Sequence, residues 1–98
     1  MKKCIFSNEA IADLNSIWTY TAEEWSVAQA NKYYRMLVSA CNDIISAKRI
    51  SHTYNEIYEG LFGLRIGRHI IFYIYKEDGN ILIVRILHEA MDFKRHFN

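Results

Sequence analysis

The sequence predicts a two-layer α+β domain with element order β-αα-βββ. Three observations predict it. Through residues 11–45, apolar side chains recur at spacings of three and four, the period of amphipathic helices. The second half carries three runs rich in Ile, Val, Phe and Tyr, the residues favoured in strands. All four glycines, Gly60, Gly63, Gly67 and Gly79, fall in that second half, and the chain has no proline. At 98 residues the chain has the length of a single domain, 1–98.

The elements follow in order. Residues 3–6 read as a short strand. Ser7 or Asn8 caps a first helix, and Glu9 in its first turn suits the helix dipole. Ile11, Leu14, Ile17, Trp18, Thr21 and Trp25 recur along it at helical spacing. Ser26 and Gln29 make a Ser-x-x-Gln capping box that opens a second helix directly after Trp25. That helix carries Ala30, Tyr33, Tyr34, Leu37, Cys41, Ile44 and Ile45 and ends near Lys48 and Arg49, whose cations suit a helix C-terminus. With almost no linker between them, the helices form an antiparallel hairpin. Residues 50–60 read as a loop or a short edge piece. Residues 61–66, 69–75 and 81–88 read as strands. The turns Gly67-Arg68 and Glu77-Asp78-Gly79-Asn80 join them into an antiparallel meander. The tail, 89–98, has room for one helical turn.

Strands 70–75 and 81–87 are apolar on both faces apart from Arg85, whereas a sheet with one covered face alternates. The second face therefore needs a cover. The tail is one candidate, although ten residues are few for a whole sheet face. A segment of a partner protein is the other, and without it the isolated chain is expected to self-associate.

Composition narrows the function. Twelve Lys and Arg against 11 Asp and Glu leave a net charge of +1, which argues against a nonspecific nucleic-acid coat. Between Gly60 and Lys76, however, the charged residues are Arg65, Arg68 and Lys76, with His69 beside them and no acid. No apolar run reaches 18 residues, and the start lacks the apolar stretch of a signal peptide, so the expected location is the cytoplasm. Cys4 and Cys41 read as reduced thiols, too few and too far apart for a zinc site. The His and acidic residues of the tail match no ligand spacing, so neither metal nor cofactor is expected. Cys41, on an apolar helical stripe, reads as core.

Arg65 and Arg85 interrupt apolar strands, Arg68 and His69 lie at a turn, and His88 closes the last strand. Strict alternation puts Arg85 on one face with Ile83 and Leu87, and His88 on the other with Ile86, unless a bulge intervenes. Two readings stay open. One is an anion site for RNA phosphate or an acidic partner residue. The other is an ion pair of Arg65 or Arg85 with Glu59, Glu89 or Asp92 that staples the tail to the sheet. A ribonuclease would use His88 as acid, Arg65 and Arg85 as phosphate clamps and Glu56 or Glu59 as base, with His52 and His96 in reserve. That set is incomplete, because the 50–60 loop has no lysine and no tyrosine follows Tyr75. Trp18, Trp25, Tyr33 and Tyr34 have the chemistry of base-stacking platforms, but their helical spacing beside Leu14 and Leu37 favours packing.

Three stretches carry a family pattern. They are Asp13-Leu14-x-x-Ile17-Trp18-x-Tyr20-Thr21 with Trp25 and Gln29-Ala30-x-x-Tyr33; Gly67-Arg68-His69-x-Ile71-Phe72-Tyr73; and Val84-Arg85-Ile86-Leu87-His88-x-x-Met91-Asp92-x-x-Arg95-His96-Phe97. Together they resemble ParE-type toxins of the RelE/ParE toxin–antitoxin superfamily. The resemblance implies the β-αα-βββ fold, reached above from the residues alone. It implies a non-enzymatic inhibitor that binds DNA gyrase, traps its cleaved DNA complex and blocks replication. It also implies a ParD-type antitoxin that wraps the toxin and alone contacts operator DNA. Carried onto this sequence, the target-binding residues are Arg65, Arg68, Arg85, His88, Asp92, Arg95 and Trp25. Arg85 and Asp92 are expected to hold the tail, and Arg68 and Arg95 to face the target. The antitoxin-binding residues are Leu14, Trp18, Tyr34, Leu37, Ile71 and Tyr73. The alternatives are a RelE-like ribosome-dependent mRNA endoribonuclease, whose usual C-terminal Tyr is missing here, and an inactive antitoxin-binding module. The family's Pro and Gly after the second helix are also absent from residues 48–55.

Overall fold

Ser7 ends the first strand and starts the first helix. In the computed structural model, which describes residues 2–97, β1 (Cys4–Phe6) leads into α1 (Asn8–Glu24). The Ser7 hydroxyl accepts the Ala10 N–H at 3.0 Å and donates to the Val84 carbonyl at 2.9 Å. One side chain thus caps the helix and ties it to the sheet. Ser26 repeats the cap for α2 (Val27–Ile45), accepting the Gln29 N–H at 3.0 Å. The rest is sheet: β2 (His52–Thr53), β3 (Phe62–Ile66), β4 (His69–Tyr75) and β5 (Ile81–His88), followed by a 3-10 turn (Phe93–His96). No helix among the described residues is long and apolar enough to cross a membrane.

The strands lie in the order β1-β5-β4-β3-β2. The meander is antiparallel as predicted, and β1 adds to its far edge in parallel, Cys4 opposite Ile81 and Phe6 opposite Ile83. The edge piece expected within 50–60 is β2, which pairs with β3 over only two residues.

The helical hairpin packs on one sheet face. Ala10, Leu14, Leu37, Ala40, Cys41 and Ile44 meet Leu64, Ile66, Ile71, Tyr73, Ile83 and Ile86 there. Cys41 is core, as its place on the stripe predicts. Burial pushes its thiol up to about 12, and the Cys4 thiol stays free nearby, donating to the Cys41 carbonyl at 3.1 Å.

The second face departs from expectation. It is covered by the chain itself, from two directions. Tyr54, Ile57, Tyr58 and Leu61 approach from the segment before β3, and Phe93 and Phe97 from the tail. They enclose Ile70, Phe72 and Leu87. Phe72 lies at the centre, its ring 5.0–5.1 Å from those of Tyr54, Phe93 and Phe97, all edge-on. Aromatic side chains cover far more area per residue than the length of a ten-residue tail suggests. A partner is therefore not needed to close this face, and the expected driving force for self-association is removed.

A bulge corrects the expected facing of β5. Phe72 pairs with Arg85 but Tyr73 with Ile83, so Val84 is the extra residue. Ile83 and Ile86 then share the helix side while Val84 and Leu87 face the aromatic layer. Arg85 therefore does not share a face with both Ile83 and Leu87; His88 stays with Ile86.

The C-terminus of α2 turns without a glycine. The Lys48 N–H reaches the Asp43 carbonyl at 3.0 Å and the Ala47 N–H reaches Ile44 at 3.1 Å, a Schellman closure. It places Ala47 at φ 55°, a left-handed conformation that costs a Cβ-bearing residue about 1 kcal/mol or more. Ala47→Gly is therefore expected to stabilise the fold by about 1 kcal/mol and to raise Tm by roughly 4–8 °C, measurable by calorimetry.

Candidate functional site

Beyond Ile83, β5 has lost its β1 neighbour, and its outer backbone groups need partners. Ser7 serves the Val84 carbonyl. The next group, the Ile86 N–H, donates to Asp13 Oδ2 at 2.9 Å. The same carboxylate accepts Arg85 Nε and Nη2, both at 2.8 Å, while Arg85 Nη1 donates to the His96 carbonyl at 3.2 Å. With side-chain exposures of only 21% and 14%, the Arg85–Asp13 pair is largely shielded from solvent. The Asp13 hydrogen bonds raise the Arg85 pKa, outweighing burial. Arg85 holds the tail, as expected, but through a backbone carbonyl. Its acid is Asp13 and not Asp92, which lies exposed at the start of the 3-10 turn and makes no side-chain cap bond. Asp13 is the residue that sequence reasoning passed over. Its signal was its place beside the buried stripe, three residues from Ala10 and next to Leu14.

A second group forms where the helical tip meets the β3–β4 turn. Gly67, at φ 57°, lets the turn press against the Tyr33 ring, where a Cβ would come within 3.0 Å of the hydroxyl. The Tyr33 hydroxyl bonds His69 Nδ1 at 2.7 Å and accepts the Arg68 N–H at 3.1 Å. The His69 and His88 rings stand edge to face at 5.3 Å, and His88 Nδ1 accepts the Ala90 N–H at 3.1 Å. Burial pushes His69 down to about 4, the neighbouring His88 adds to this, and Glu89 and Asp13 oppose it. Burial likewise keeps Tyr33 protonated. Glu89 accepts from both Arg65 and Arg68, the latter at 3.3 Å. The staple between a meander arginine and the tail thus exists, as Arg65–Glu89. Thr21, Trp25, Gln29, Tyr33, Arg68, His69 and His88 line a cleft of about 380 Å³. Trp25 is 78% exposed, which corrects the packing assignment for that residue.

The structure thus brings Arg65, Arg68, His88 and Trp25 into one neighbourhood and places Arg85 in a separate clamp. Arg95 is exposed on the tail and makes no ion pair among the described residues. Leu14, Leu37, Ile71 and Tyr73 are buried between hairpin and sheet, so they support the outer surface instead of forming it. Trp18 and Tyr34 do reach that surface, lining a cleft with Asn31, whose Oδ1 accepts the Trp18 indole N–H at 3.0 Å. Glu56 and Glu59 lie exposed on the segment that covers the opposite sheet face from His88. Among the described residues no three His, Cys, Asp or Glu side chains are grouped to hold a metal ion.

The sequence model of the family described as ParE toxin of type II toxin-antitoxin system, parDE, matches residues 4–93. Toxin ParE1 of Mycobacterium tuberculosis is 37% identical over 92 residues, 94% of each chain. Toxin ParE1 of Caulobacter vibrioides is 31% identical over 96 residues, 98% of each. The chromosomal ParDE TA system from P. aeruginosa contains a chain that superposes with a TM-score of 0.74 at 17% identity, covering 90% of this chain and 95% of that one.

Two outcomes follow from the geometry. Asp13→Ala strands the Arg85 guanidinium and the Ile86 N–H together, so urea unfolding should show a loss of about 3 kcal/mol. For His69, the folded pKa lies below that of the unfolded chain, which takes up a proton first as pH falls. His69 should therefore leave stability unaffected above about pH 6.5 and erode it progressively down to about pH 4. Stability measured across that window should fall more steeply in the wild type than in His69→Gln.

Proposed function

The chain belongs to the ParE toxin family of type II toxin–antitoxin systems, and on that premise we propose that it poisons DNA gyrase by binding, trapping the cleaved DNA complex and blocking replication. A ParD-type antitoxin neutralises it in this reading and alone contacts operator DNA. The toxin then acts in the cytoplasm, where its target is.

The observation that favours binding over catalysis is the separation of the candidate ribonuclease groups. Arg85 spends its guanidinium on Asp13 and the tail, Arg65 spends its own on Glu89, and the acidic candidates Glu56 and Glu59 lie across the sheet from His88. Phosphodiester cleavage needs acid, base and cation around one reacting phosphorus. A binding inhibitor needs only an exposed, chemically distinctive surface. Arg68, Arg95 and Trp25 are all exposed and supply cationic and aromatic anchors of the kind that dominate interfaces. Arg85 and Asp13 fix the tail that presents Arg95. For the antitoxin, the outer groove of the hairpin offers Trp18 and Tyr34, with Leu14 and Leu37 setting the spacing of the helices beneath.

In a purified gyrase supercoiling assay, the wild-type chain should inhibit and should accumulate cleaved DNA. Combined Arg68→Ala and Arg95→Ala should weaken inhibition by about tenfold or more while leaving the melting curve unchanged. No inhibition at excess toxin, with codon-specific mRNA cleavage instead, would replace this reading by the ribonuclease one.

A further inference from the structure

We propose that the cleft between the helical tip and the β3–β4 turn is a nucleotide site, in which a base stacks on Trp25 and its phosphate is held by Arg68. The proposal does not depend on gyrase as target. Four features of the cleft converge on this ligand.

The first is charge. Glu89 is shared by Arg65 and Arg68, so one carboxylate faces two guanidiniums and a unit of positive charge is left over. Arg65 makes the closer bond; Arg68 holds only one contact, at 3.3 Å, and is mostly exposed, free to turn toward an anion. Among the described residues no carboxylate lines the cleft. The second is the aromatic surface. The Trp25 indole lines the cleft while the residue is 78% exposed, so most of its surface is open to a ligand. The third is a polar edge: the Gln29 side chain is exposed, offers both a donor and an acceptor, and makes no hydrogen bond among the described residues. His88 has its Nδ1 engaged by Ala90, which leaves Nε2 to the cleft. The fourth is size: about 380 Å³ falls within the range of small-molecule sites. An inorganic anion would use Arg68 alone and an apolar ligand Trp25 alone. A nucleotide uses the aromatic face, the polar edge and the cation together.

The nucleotide is either free or presented by a single strand, and titration separates the two. The probes are adenosine monophosphate, adenosine, inorganic phosphate, a single-stranded oligoadenylate hexamer and the same hexamer in a duplex. Tryptophan emission in a Trp18→Phe chain reports on Trp25 alone, and amide shifts of Thr21 and Gln29 in the wild-type chain report independently should that variant fold poorly. Adenosine monophosphate should quench saturably and bind about tenfold more tightly than adenosine. Arg68→Ala should abolish that difference. Trp25→Ala, followed by amide shifts, should weaken both ligands about tenfold. A hexamer tighter than the mononucleotide identifies a strand as the source, and equal affinities identify the free nucleotide. Inorganic phosphate binding as well as adenosine monophosphate, a duplex binding as well as the single strand, or no saturable response by either readout would overturn the proposal.

Discussion

The Asp13 carboxylate is the point at which the three parts of this molecule are joined. It belongs to α1, it receives a backbone N–H of β5 where the sheet has run out of strands, and through Arg85 it reaches the carbonyl of His96 in the tail. An edge strand with unpaired backbone is a general hazard, and proteins blunt it with charge or cover. Here a single helical side chain does both. The tail then carries Phe93 and Phe97 onto Phe72, so closure of the second sheet face depends on an ion pair at the rim of the first.

The layers and element order were legible in the sequence because each rests on local physics. Both helix caps are serines in the expected places, and the turns carry the glycines that the backbone needs. The cover of the second face was not legible. Its components, Tyr54, Ile57, Tyr58, Phe93 and Phe97, come from two segments with no periodicity, and only the folded path brings them over Phe72. Counting tail residues underestimated them, because edge-on aromatic packing depends on ring area and not on chain length.

The candidate site was legible in its residue types and less so in its pairings. Arg65, Arg68, His88 and Trp25 do converge, at a strand turn and a helix tip that sequence order already places at the same end of the molecule. The partners did not follow from sequence. Asp13 lies 72 residues from Arg85, and Tyr33 lies 36 from His69, separations at which no local rule operates. The buried residues of the hairpin, Leu14 and Leu37, show the reverse error: an apolar stripe marks what a helix hides at least as often as what it offers to a partner.

The bulge at Val84 gives β5 eight residues against the seven of β4. Before it, Ile83 points to the helices; after it, Ile86 and His88 do, and Leu87 points away. The C-terminal signature is therefore tied to the rest of the fold by parity. Were the strand to run straight through Val84 without the bulge, every later side chain would stay chemically intact and face the wrong layer, His88 in the aromatic core and Leu87 toward the helices. Removal of Val84 itself would leave Arg85, Ile86 and Leu87 opposite Phe72, Ile71 and Ile70, so relatives one residue shorter at this point are expected to keep the same facing in a regular ladder.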